Sequence, residues 1–128
     1  VFENGQHKLA ILTDVGSITP HIVEMLDACD GLMLECNHDR EMLARGPYPE
    51  SLKQRVAGRM GHLSNEQAAE LLAQMDHSRL QHLVAMHLSE QNNSESLARD
   101  TLCEVLDCEQ DWIGIADQEQ GFTWRELR

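Results

Sequence analysis

Three short apolar runs, KLAILTD (Lys8–Asp14), GLMLE (Gly31–Glu35) and LQHLVAM (Leu80–Met86), are spaced so that helical patterns fill the gaps between them. That alternation constrains the fold more than any other feature. Short continuous apolar runs are typical of strands covered on both faces, and strands alternating with helices predict an α/β chain with a mostly parallel sheet. The helix signals are local. Thr19-Pro20 supplies an N-cap and a proline at the first helical position, with Ile22, Met25, Leu26 and Cys29 expected on one face. A short helix is expected from Asp39 to Arg45, stopped by Gly46, and Pro49 begins another through Lys53 and Val56. Ser64 to Gln67 reads as a capping box ahead of a stripe of Ala68, Leu71, Leu72 and Met75. Ser94 to Leu106 is a further helix, WIGIA and FTWREL are expected as a closing pair of strands, and VFENGQHKLAIL reads as a hairpin turning at Asn4-Gly5.

The chain has 128 residues, enough for one domain with a core, and no apolar run reaches the roughly 18 residues of a membrane span. The expected location is the cytoplasm. No pair among Cys29, Cys36, Cys103 and Cys108 has C-x-x-C spacing, so reduced thiols are expected. A net charge of −12 argues against a surface that grips nucleic acid indiscriminately. The charge is uneven, however: Arg40, Arg45, Lys53, Arg55 and Arg59 face only Glu41 and Glu50 in one stretch, a local net of +3. Such a run is usually a solvated face, and it is also placed to touch a phosphate backbone.

On this skeleton the first strand ends at Asp14, the second at Glu35 and the third at His87, while His62 lies two residues before a helix N-cap. Ligands of open α/β sheets bind at the carboxyl ends of strands. Taken singly, Asp14 is most simply a turn former and His87 a structural histidine. Three strand ends in succession, each bearing a carboxylate or imidazole, weaken that reading. Asp and His suit zinc, manganese or iron. His38 and Asp39 are another candidate pair, although a helix start explains Asp39 equally well. Ser89, Asn92 and Asn93 line a site or cap the next helix.

The motifs LTDVG, LECNHD, GHLSNEQAAELL and HLSEQNN, in this order and spacing, resemble the C-terminal half of a metallo-β-lactamase-fold hydrolase, in particular the YycJ (WalJ) group related to RNase Z. The resemblance covers nearly the whole chain. It implies half of an αββα sandwich over residues 1–128, with a mixed sheet and flanking helices. It also implies two divalent ions, zinc or manganese, with Asp14 bridging both and His87 as the last histidine ligand. Glu35 would polarise His62, the general acid on a phosphodiester leaving group, and Lys53, Arg55 and Arg59 would meet substrate phosphates. The superfamily's H-x-H-x-D-H motif is absent from this chain. The expectation is therefore a DNA exonuclease-type phosphodiesterase whose site is incomplete here, whose partner is the N-terminal half of the same domain, and which alone binds metal weakly and self-associates. A metallohydrolase of a thioester or lactam, and a metal-free binding module or structural fragment, are the alternatives.

Overall fold

The apolar runs pair side by side. In the computed structural model, which describes residues 1–128, β1 (Phe2–Glu3) runs antiparallel to β2 (Lys8–Leu12). Then β3 (Gly31–Glu35), β4 (His82–Met86) and β5 (Ile113–Ile115) follow in parallel, giving the order β1-β2-β3-β4-β5. The hairpin forms as read: Asn4 Oδ1 accepts from the backbone N–H groups of Gln6 and His7, and Gly5 takes a φ of +87° that costs glycine little. The helices are α1 (Pro20–Leu26), α2 (Arg40–Arg45), α3 (Glu50–Ala57), α4 (Asn65–Gln74) and α5 (Glu95–Leu106). Thr19, Asp39, Ser64 and Ser94 each cap a helix by accepting a backbone N–H, and the Ser64/Gln67 capping box is complete. No helix is long and apolar enough to cross a membrane.

Because side chains alternate across a strand, one sheet face carries Ala10, Leu32, Leu34, Leu83, Ala85 and Ile113. These join Leu26, Leu71, Leu72, Ala98 and Leu102 in one buried cluster. The expectation of strands covered on both faces holds fully on this side and in part on the other, where Val84 is buried but Ile11 is 40% exposed. FTWREL is not a strand. β5 is only three residues long, and after the Asp117–Gly121 turn the chain crosses the second sheet face instead of pairing along the edge. There His82 Nε2 meets the Glu126 carbonyl at 2.8 Å, and the Arg128 N–H donates to Gln81 Oε1 at 2.7 Å. An apolar cavity of about 430 Å3 remains between this segment and Leu9, Met33 and Val84. Two further corrections concern α1: Met25 is 43% exposed, and Cys29 reaches the core from beyond the helix, after Ala28 turns the chain with a φ of +57°.

All four cysteines are free thiols. Burial pushes the Cys29 thiol up to about 11, and burial with the adjacent Cys108 pushes Cys103 up to about 12. These groups stay protonated near neutrality.

Candidate metal centre

Three loops leave the carboxyl ends of the parallel strands and bring the sequence candidates together. Glu35 closes β3 and is fully buried. Its Oε1 lies 2.9 Å from His62 Nδ1 and 3.3 Å from His87 Nδ1, and its Oε2 accepts long 3.4 Å bonds from the N–H groups of Val15 and Leu63. With Nδ1–H presented to this carboxylate, each imidazole would keep Nε2 for another partner. Asp14 Oδ1 stands 3.9 Å from His62 Nδ1 and 4.0 Å from His87 Nδ1. Ligand atoms of Asp14, Glu35 and His62 all lie within 4.8 Å of one another.

Asp14 and His87 both hold a φ of +57°, a left-handed conformation that disfavours side-chain-bearing residues by roughly 1–2 kcal/mol. At these two strand ends the backbone turns sharply so that the side chains meet over β3. The third loop is fixed by contact. A Cβ on Gly16 would stand 2.5 Å from the Gly58 and Arg59 carbonyls and the Gly61 nitrogen, so only glycine lets the loop after β2 press against the turn before His62.

The donor set is a carboxylate and two imidazoles around a buried carboxylate, which fits a borderline divalent ion in kind. In number it falls short of a closed four-ligand site if Glu35 is occupied in holding the two rings. His62 could also have been no more than a helix cap; Ser64 does the capping and leaves the imidazole to Glu35.

The other candidates separate. His38 is buried, with Nδ1 3.2 Å from Asn37 Oδ1, and burial together with the nearby His62 and Arg40 charges holds its imidazole down at about 4. Asp39 is the cap of α2. Asn93 is structural: it exchanges amide bonds with Asn65 and donates to the Cys36 carbonyl. Ser89 and Asn92 line the same cavity, about 390 Å3, as Asp14, His62 and His87. In the basic stretch, Arg45 pairs with Glu41, and the Lys53 ammonium donates to the Ala44 carbonyl at 2.6 Å, tying α3 to the end of α2. Sequence reasoning missed Thr13, whose hydroxyl is 2.9 Å from His87 Nδ1, and Asn37, whose amide donates to the His87 carbonyl. It also missed Tyr48 and Gln118 in the cavity wall. Only Thr13 carried a signal, as the hydroxyl beside Asp14.

Two carboxylates and two imidazoles thus gather at one edge of a mixed sheet, and comparison with known proteins gives the class. The model of the beta-lactamase superfamily domain matches residues 1–88, so the chain belongs to that family and has the metallo-β-lactamase fold. Among curated proteins it is 37% identical over 106 residues to the exodeoxyribonuclease YycJ of Bacillus anthracis, an alignment covering 83% of this chain and 40% of that protein. It is 35% identical over 105 residues to the exodeoxyribonuclease WalJ of Streptococcus pneumoniae strain D39, covering 82% and 39%. The chain thus spans about 40% of the length of these relatives.

Proposed function

We propose that the whole protein is a dinuclear metal-dependent phosphodiester hydrolase acting on DNA in the manner of an exonuclease. The observation that carries this reading is the shared Glu35 Oε1, which orients two imidazoles beside Asp14. The names of the relatives support it, and so does their greater length, which leaves room for the ligands this chain lacks. Asp14 and His87 Nε2 would hold metal, completed by ligands from the remaining part of the domain. Divalent ions, when bound, polarise a phosphoryl oxygen and make water a stronger acid near neutral pH.

The chain's own residues do the rest. Thr13 and Glu35 both meet His87 Nδ1, and with the proton on that nitrogen Nε2 keeps its lone pair for a metal. Glu35 steadies His62 so that its Nε2 delivers a proton to the leaving oxygen of the phosphodiester, a contribution of roughly 10²–10⁴ in rate. An alkoxide leaving group needs such an acid more than a thiolate does, which favours phosphodiesters over thioesters. Arg55 and Arg59, with Lys53, form the cationic approach for the phosphate backbone. The second sheet face, with its exposed Ile11, is proposed to receive the remaining part of the domain.

The test is substrate choice by the whole protein with zinc or manganese: single- and double-stranded DNA, a thioester and a β-lactam, each with and without a chelator. Chelator-sensitive release of nucleotides from DNA, with no turnover of the other two, is the expected outcome. Thioester or lactam turnover without DNA cleavage would reverse the assignment.

A further inference from the structure

The cavity that holds Asp14, His62 and His87 has a wall the chemistry above does not use. We propose that Tyr48 forms a nucleoside subsite there, its ring stacking against the base next to the scissile phosphate; this rests on the phosphodiesterase reading above. Tyr48 is the chain's one tyrosine, and it is the one Phe, Tyr or Trp lining this cavity. The cavity's volume, about 390 Å3, lies within the roughly 300–1,000 Å3 range of small-ligand sites. Tyr48 is half-buried and stands outside the hydrophobic cluster, so core packing does not account for it.

Its position is held from both sides. Pro47 and Pro49 restrict the backbone around it. The Pro49 carbonyl accepts the N–H groups of Leu52 and Lys53, and the Gly46 N–H donates to the Leu43 carbonyl. The Lys53 ammonium on the Ala44 carbonyl braces the two helices on either side. An aromatic ring held still loses little entropy on stacking, and stacking accepts any base. Val56 on α3 lines the same cavity, with Arg55 next to it in sequence and Arg59 just beyond the helix. Neither arginine is in the cavity's lining, so the subsite stands on the Tyr48 ring and its place beside Asp14, His62 and His87.

The test uses the whole metal-loaded protein and two single-stranded oligonucleotides, one ordinary and one with tetrahydrofuran residues replacing the terminal nucleosides at both ends. Wild type should show a kcat/KM roughly 5-fold to 100-fold higher on the base-bearing strand, as loss of one stacked base implies. Tyr48→Ala should abolish that preference by lowering only the base-bearing value, and Tyr48→Phe should keep it within about 2-fold. Equal rates on both strands by wild type, or equal losses on both in Tyr48→Ala, would overturn the subsite while leaving the nuclease reading intact. A wild type that cuts neither strand would overturn the nuclease reading, and the subsite with it.

Discussion

At Glu35 a single carboxylate oxygen meets two imidazoles, with no lysine or arginine paired to it. His38, three residues on, is the opposite case: an imidazole that burial keeps neutral, held down at about 4 from an ordinary 6.5. The unfolded chain takes up a proton on His38 as the pH falls through about 6.5, whereas the folded chain resists until about 4. Stability from this residue is thus full above about 6.5 and lost as the pH drops towards about 4. We expect urea midpoints of the wild type to fall across that window, and His38→Gln to show a shallower fall. Parallel curves would mean the imidazole titrates normally in the folded state. Individual contacts were less legible in the sequence than the elements that carry them. Asp14, Glu35 and His87 were legible because strand ends deliver them, and His62 because it stands just before the cap of α4. Thr13 had only its place beside Asp14 to signal it and Asn37 had nothing, because their partner His87 lies 74 and 50 residues away.

Elements were more legible, since the signals for them are local. Each cap read from the sequence accepts the backbone N–H three residues on. FTWREL failed because alternating apolar residues say that a segment can pair, not that an edge awaits it. What the sequence could not convey is how loops press together. Gly16 against the turn before His62 is such a contact, and Gly16→Ala should cost about 1–3 kcal/mol as overpacking does, while moving His62 off Glu35. Thermal midpoint and kcat should fall together; wild-type kcat in this variant would show that the turn does not position His62. For the cationic α3, neutralising Arg55 and Arg59 together with Lys53 should weaken oligonucleotide binding and flatten its salt dependence. A small chromogenic phosphodiester should lose far less. Because Lys53 also ties α3 to α2, the Arg55/Arg59 pair alone is the cleaner variant, and equal losses on both substrates would mean helix damage.

For the whole molecule, the decisive asymmetry is between the two sheet faces. Helices seal one; the other has the segment after Gly121 laid across it, with Phe122 42% exposed and the Trp124 side chain fully so. The 128 residues on their own should therefore self-associate, hold zinc or manganese weakly and hydrolyse nothing. Sedimentation and equilibrium dialysis check this, and two tightly held ions on a monodisperse monomer would contradict it. In the proposed mechanism two histidines that share one carboxylate divide the labour, and metal analysis of the purified whole protein separates their roles. His87→Ala should lose metal. His62→Ala should retain it and turn over roughly 100-fold to 10,000-fold more slowly. If His62→Ala loses metal as readily as His87→Ala, His62 is a ligand and its assignment as the acid is wrong.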